Sequence, residues 1–158
     1  MPKTGLCWLW ITALVLIVDR FTKYWATKHL LFTGPMKILP ILNFTLAFNT
    51  GAAFSFLHNA NGWQNIFLGG LAIVVSLFVL VWLSRLSCKA RWNSIALCLV
   101  LGGALGNVWD RAMYQYVIDF LSFHWGDWYF AIFNVADSAI CVGAVMLCLL
   151  WFKQAESN

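Results

Sequence analysis

Five of the six acidic residues are aspartates: Asp19, Asp110, Asp119, Asp127 and Asp137, in a chain that is 62% hydrophobic and only 10% charged. Soluble domains are about 25% charged. A carboxylate at the edge of a membrane-spanning apolar run is costly and is read as functional by default. Asp119 lies in an apolar stretch that leads into a polar loop, and Asp137 heads the last apolar run. A loop that folds back would bring the two together. Two adjacent carboxylates cannot both ionise easily and share a proton. One can take a proton from water while the other protonates a scissile carbonyl and later helps protonate the leaving amine. Such a pair titrates with two macroscopic values that belong to neither residue alone, and low dielectric raises the cost of the second charge. The chemistry this pattern points to is cleavage of a peptide bond at a membrane surface.

Other chemistries lack their residues. His29, His58 and His124 are isolated, without an HExxH pair, so no metal site is expected. There is no GxSxG elbow and no nucleotide loop, and no cofactor is implied. Ser138 adjoins Asp137, but helix neighbours point apart, so it reads as a packing residue. The net charge of +4 is scattered, without the basic run and interleaved aromatics of a nucleic-acid binder. Cys7, Cys88, Cys98, Cys141 and Cys148 form no CxxC, and four lie in apolar runs, where cysteine acts as a small hydrophobe. All five read as structural, with Cys88 at a membrane edge where acylation is weakly signalled. Residues 1–18 resemble a secretion signal, but no small-x-small site follows, so they read as a retained span.

The positioning elements follow from the apolar runs. The chain reads as one integral membrane domain, 1–158, with spans at about 5–24, 66–84, 92–109 and 129–152. The expected fold is mainly α, a four-helix transmembrane bundle with a small extramembrane β-sheet. Only residues 5–18 of the first span are free of charge, short of the ~20 needed to cross the hydrocarbon. Asp19 and Lys23 therefore fall within or at the border of that span and share a helix face at i and i+4. Gly102, Gly103 and Gly106 would let a neighbouring helix approach closely. Pro35 and Pro40 break helix. From Leu42 to Asn49 apolar and polar residues alternate, the period of a strand. A β-rich segment is expected at about 38–57, with a return strand over 53–57, and a further short strand at 116–120. Because lipid cannot satisfy sheet edges, the sheet should rest on the bilayer surface, its apolar side toward lipid or a substrate chain.

Four spans put both termini on one side. The dense loop with Arg85, Lys89 and Arg91 marks that side as cytoplasmic. Every aspartate then falls on the opposite, outer face, together with Asn49, Asn107 and Asn134. Asn107, Asp110 and Arg111 share one helix face, and this group could equally satisfy a buried helix end. Asn134, three residues before Asp137, could orient that carboxylate or cap the span. Asp127 reads as a solvated loop residue. A small transporter or proton channel using the outer aspartates is the alternative, but it requires a polar route through the membrane, and 6–18 and 138–152 carry no charge.

Five ordered segments carry a family resemblance. They are Asp19-Arg20-Phe21-Thr22-Lys23, Phe48-Asn49-Thr50-Gly51-Ala52-Ala53-Phe54-Ser55, the run from Gly102-Gly103 through Asn107 to Asp110-Arg111, Val117-Ile118-Asp119-Phe120, and Phe133-Asn134-Val135-Ala136-Asp137-Ser138. In this order they resemble the bacterial lipoprotein signal peptidases, also called signal peptidase II, over almost the whole chain. The resemblance implies an aspartic endopeptidase of the inner membrane. It would remove signal peptides from diacylglyceryl-modified prolipoproteins, cutting on the amino side of the lipidated cysteine. It implies Asp119 and Asp137 as the catalytic pair, with Asn49, Asn107, Arg111 and Asn134 lining the site and Asp19, Lys23 and Asp110 supporting it. The implied partners are the lipidated substrate and membrane lipid, with no nucleic acid and no obligate protein partner. The Trp-rich loop 124–128 is expected to act as a lid.

Overall fold

The computed structural model describes residues 4–51 and 63–155. A 3-10 turn, Gly5–Trp8, leads into helix α1, Leu9–Thr33. Strands β1, Met36–Leu39, and β2, Leu42–Asn49, follow. Helices α2, Trp63–Arg85, and α3, Arg91–Tyr114, come next. Strands β3, Val117–Trp125, and β4, Trp128–Tyr129, precede helix α4, Val135–Ala155. All four long helices are apolar and long enough to cross a membrane. The expected return strand at 53–57 lies outside the described residues.

Helix α1 runs past the expected end at Tyr24 because no breaker precedes Pro35. It stops at Gly34, which takes φ 72° and donates its N–H to the Leu30 carbonyl at 3.0 Å. The extra turns bury Ala26 and Leu30, at i and i+4, against Phe120 of β3, with Trp25, Phe44 and Leu46 packed around them. Part of the apolar row of β2 therefore faces α1, not lipid. Asp19 and Lys23 stay within the helix because their side chains turn inward, away from lipid.

Helix α3 is the hub, packed against α1, α2 and α4. Its contact with α4 is close: a Cβ added at Gly103 would collide with the Ala136 carbonyl oxygen. Gly103→Ala should therefore lower stability by about 1–3 kcal/mol through overpacking, read as an earlier SDS unfolding midpoint. Gly70→Ala, where a Cβ meets nothing within 4 Å, is the control expected to leave the midpoint in place.

The four strands form one antiparallel sheet in the order β1-β2-β3-β4. The simple alternation of β2 is interrupted, because its register on β3 shifts between Phe44 and Ala47. Phe44 lies opposite Leu121 but Ala47 lies opposite Asp119, so β2 spends one extra residue there. A one-residue shift reverses the faces of everything beyond it. Ala47, and with it Asn49, thereby shares the face of Asp119.

At the opposite end of the bundle, the core is apolar and includes Ile11, Val15, Leu83, Leu97 and Leu101. There the 3-10 turn docks on the α2–α3 loop. Gly5 N–H donates to the Leu86 carbonyl at 2.8 Å, and the Trp8 indole donates to the Cys88 carbonyl at 3.0 Å. Cys7 and Cys88 form a disulfide. The reading of the five cysteines as structural did not include this pairing. The partners are 81 residues apart in sequence, and only the docked turn brings them together.

Candidate active site

Helix α4 begins with a reciprocal cap. Asn134 is the N-cap: its Oδ1 accepts the Asp137 N–H at 2.9 Å, while Asp137 Oδ2 accepts the Asn134 N–H at 3.3 Å. With its oxygen thus occupied, the Asn134 amide nitrogen points away and donates to Asp119 Oδ1 at 2.7 Å. One fully buried asparagine therefore spans the two carboxylates. Capping and orienting, the two roles left open by the sequence, are both filled by this residue.

Two further amides are aimed in the same way. Asn49 Oδ1 accepts the Gly51 N–H at 2.9 Å, which leaves its nitrogen to donate to Asp119 Oδ2 at 3.1 Å. Asn107 Oδ1 accepts from the Lys23 ammonium at 3.2 Å, which leaves its nitrogen to donate to Asp137 Oδ1 at 2.7 Å. In each case a group that can only donate fixes the amide oxygen, so the NH₂ must face the carboxylate. Burial pushes the Asp119 carboxyl up to about 6, and the neighbouring Asp137 charge adds to the rise; the amides of Asn49 and Asn134 and the charge of Lys23 oppose it.

Behind the pair lies a buried ionic cluster. Lys23 Nζ lies 2.9 Å from Asp19 Oδ2 and 2.8 Å from Asp110 Oδ2. Arg20 bridges the same two acids, at 2.9 Å and 2.6 Å. Asp19 Oδ1 also accepts the Ala136 N–H at 3.1 Å, and Asp110 Oδ2 accepts the Ile118 N–H at 3.3 Å. The cluster thus grips the first turn of α4 and the start of β3, the two elements that carry Asp137 and Asp119. Arg20 is the participant the site reading missed. Its Cβ points about 100° around the helix from that of Asp19, and the long side chain bends back to reach the cluster.

Arg111 lies one turn beyond Asn107 on α3 and reaches its own helix through NH1 to the Asn107 carbonyl at 3.4 Å. With Asn107 it closes the head of a cavity of about 260 Å³ that runs between α2, α3 and α4, lined by Leu68, Leu71, Val75, Ala104 and Ile140. A larger furrow of about 670 Å³ lies between α1 and α3 but ends at Arg20, whose guanidinium is already paired. The smaller cavity reaches the carboxylates through Asn107, which lines it and donates to Asp137.

Asp127 stands apart, exposed in the turn between β3 and β4. Residues 124–128 form a hairpin, not a free lid. Trp125 lies six residues along β3 from Asp119, about 20 Å at ~3.3 Å per residue, too far to cover the carboxylates. The Ser138 hydroxyl donates to the Asn134 carbonyl at 2.9 Å and is not poised as a nucleophile. Among the described residues no cluster of His, Cys, Asp or Glu could hold a metal.

The comparisons agree over nearly the full length. A family model described as Signal peptidase (SPase) II matches residues 11–153. The lipoprotein signal peptidase of Coxiella burnetii (strain Dugway 5J108-111) is 55% identical over 151 residues, 96% of this chain and 93% of that protein. The lipoprotein signal peptidase of Pseudomonas aeruginosa (strain UCBPP-PA14) is 49% identical over 153 residues, 96% and 90% of the respective lengths. A solved structure described as a bacterial membrane enzyme, at 1.9 Å resolution, superposes with a TM-score of 0.83 at 26% identity, covering 97% of this chain and 98% of its own.

Proposed function

The chain belongs to the signal peptidase II family, and we propose that Asp119 and Asp137 together hydrolyse the bond between the signal peptide and the lipidated cysteine of a diacylglyceryl prolipoprotein. It is an enzyme, a multi-pass membrane peptidase that processes lipoproteins. The observation that carries the catalytic assignment is the single asparagine, Asn134, which donates to Asp119 through its side-chain amide and to Asp137 through its backbone N–H, while each carboxylate has a second, side-chain amide donor of its own.

In this reading a water molecule lies between the carboxylates. Asp137 takes a proton from that water as its oxygen attacks the scissile carbonyl carbon. Asp119, more deeply buried and with its carboxyl raised to about 6, gives its proton to the carbonyl oxygen. On collapse, that proton returns to Asp119, the C–N bond breaks, and Asp137 passes its proton to the leaving nitrogen. The lipid chains of the substrate enter the cavity under Arg111, whose lining is aliphatic. The test is processing in liposomes of one prolipoprotein with and without the diacylglyceryl group, followed by N-terminal sequencing. Cleavage before the modified cysteine, with the unmodified substrate left intact, is expected; equal cutting of both would overturn the lipid-anchor assignment.

The pH dependence follows from the same geometry. Loss of the proton held by the pair should set the alkaline limb of kcat/KM. Asn49 stabilises the charged form of Asp119, so Asn49→Ala raises this carboxyl further and moves that limb to higher pH. A kcat/KM profile that falls without moving would show that Asn49 acts on packing alone.

Both termini are assigned to the cytoplasm and the aspartates to the outer face, on the charge of the short loop carrying Arg85, Lys89 and Arg91. With that orientation the bonded Cys7 and Cys88 of the structure face the inner compartment, whose reducing conditions would open the bond to two thiols. Alkylation of intact cells with a membrane-permeant reagent should catch both as thiols. A bond that persists in cells under that treatment would reverse the topology.

A further inference from the structure

The furrow between α1 and α3 has no part in the chemistry assigned above. Its shape follows from two glycines that bring the helices into contact. A Cβ added at Gly102 would meet Val15 at 2.7 Å, and one at Gly106 would meet Asp19 Oδ2 at 2.8 Å. Beside this contact line the large side chains stand apart, Leu16 and Ile17 on α1, Leu105 and Trp109 on α3. They enclose the furrow's 670 Å³, and at ~1.5 Å per residue its α3 wall from Leu105 to Ala112 is ~10 Å long. Among the described residues, Arg20 is the one charged side chain in the lining. Both ion pairs of Arg20 and its bond to the Gly106 carbonyl run through a single nitrogen, NH2. Nε has no hydrogen-bond partner among the described residues. The Arg20 side chain is 28% exposed, whereas Asp19, Asp110 and Lys23 are buried. The furrow therefore meets a cation whose neutralising acids lie behind it.

Farther along the same row of α1, at i+4 and i+8 from Arg20, come Tyr24 and Lys28, both exposed. Lys28 Nζ lies 5.8 Å from the centre of the Tyr24 ring. Helical side chains tilt toward the N-terminus, so this ammonium leans back toward Arg20. The row thus runs from an apolar furrow to a guanidinium, a phenol and an ammonium, with ~12 Å between Arg20 and Lys28. That is the order of a phospholipid: chain, phosphate, head. We propose that the furrow holds one anionic phospholipid, phosphatidylglycerol. An acyl chain lies against Ile17 and Leu105, the phosphate accepts from the Arg20 guanidinium, and the glycerol head reaches Tyr24 and Lys28. Phosphatidylethanolamine shares the chain and phosphate contacts, but its ammonium falls beside that of Lys28. The bound lipid covers the one exposed member of the ionic cluster, and so joins the surrounding membrane to the clamp behind Asp119 and Asp137. The site is separate from the cavity under Arg111 and does not rest on the catalytic assignment.

The test offers phosphatidylglycerol or phosphatidylethanolamine, with identical chains, to the full chain delipidated in detergent. Bound lipid is counted by native mass spectrometry over a concentration series. Expected is one saturable phosphatidylglycerol, held about fivefold more tightly than phosphatidylethanolamine, the factor for one basic residue facing an anionic lipid. Lys28→Gln should remove this preference and leave the weaker binding of both lipids. Ala112→Trp, which places an indole in the furrow from an exposed position, should weaken both. Unfolding midpoints of the two variants without lipid should match wild type, so that the losses report binding. Equal retention of the two lipids by wild type would overturn the proposal. Phosphatidylglycerol held undiminished by Ala112→Trp would also overturn it, by placing the lipid elsewhere. Glycerophosphoglycerol, the head without chains, should not displace the lipid. Displacement as effective as that by intact phosphatidylglycerol would reduce the site to an anion contact. Retention of neither lipid would leave the furrow to a helix of the substrate or of a second copy. None of these readouts needs turnover.

Discussion

Asp119→Asn and Asp137→Asn should each lower processing of a lipidated prolipoprotein by about 10²–10⁴-fold, the range for losing a positioned general acid or base, while the protein remains folded and inserted. The stability readout separates Asp119 from an ordinary buried acid. Its carboxyl lies at about 6, above an ordinary value near 3.8. The folded state therefore binds more protons than the unfolded state between those values, and stability falls as pH rises through that window. At pH 8 the charged, buried Asp119 costs up to about 3 kcal/mol relative to pH 4. Asp119→Asn removes that titration. It also turns an NH₂ toward one of its two amide donors, which costs about 1 kcal/mol at every pH. Relative to wild type, the variant should gain stability between pH 4 and pH 8 as it loses activity. SDS unfolding midpoints at the two pH values check this. A constant difference would mean that Asp119 is not held above the usual range, and a folded variant that still cuts near the wild-type rate would remove it from the reaction.

The sequence made the carboxylate pair and its spans readable because both are local patterns: long uncharged runs, with an acid at the edge of each. The Asn134–Asp137 cap was readable for the same reason, since N-x-x-D before an apolar run is a helix start that requires no knowledge of the fold. Asp19 and Lys23 at i and i+4 announced a shared face, and the structure places Asp110 and Arg20 on it. Features that depend on distant partners were not readable. The alternation of β2 gives no sign of the shift between Phe44 and Ala47, which exists only relative to β3, yet that shift brings Asn49 to Asp119. Arg20 was not readable as a member of the cluster, because spacing locates a Cβ and not the end of a long side chain. The extension of α1 to Thr33 depends on Ala26 and Leu30 finding Phe120. Cys7 and Cys88 meet only because the 3-10 turn docks on the α2–α3 loop.

The second large effect lies behind the carboxylates. Asp19, Asp110, Arg20 and Lys23 sum to zero charge, and all but Arg20 are fully buried. Lys23→Met leaves two interior carboxylates with one guanidinium. Breaking a buried ion pair from one side costs about 3–5 kcal/mol, a large part of the stability of a small domain, so little folded protein should accumulate in the membrane. The same change frees Asn107 Oδ1, the atom whose contact with Lys23 turns the amide nitrogen toward Asp137. Folding and catalysis therefore fail for different reasons, and a second substitution can separate them. Lys23→Met/Asp110→Asn restores the charge balance, with Arg20 still facing Asp19 and the new amide oxygen able to accept from Ile118 N–H. It should recover most of the unfolding midpoint but little of kcat, because Asn107 remains untethered. Full recovery of kcat would show that the tether is dispensable and that the cluster acts only as a clamp on α4 and β3. A Lys23→Met protein as stable as wild type would show that the four charges are not the closed set their distances describe.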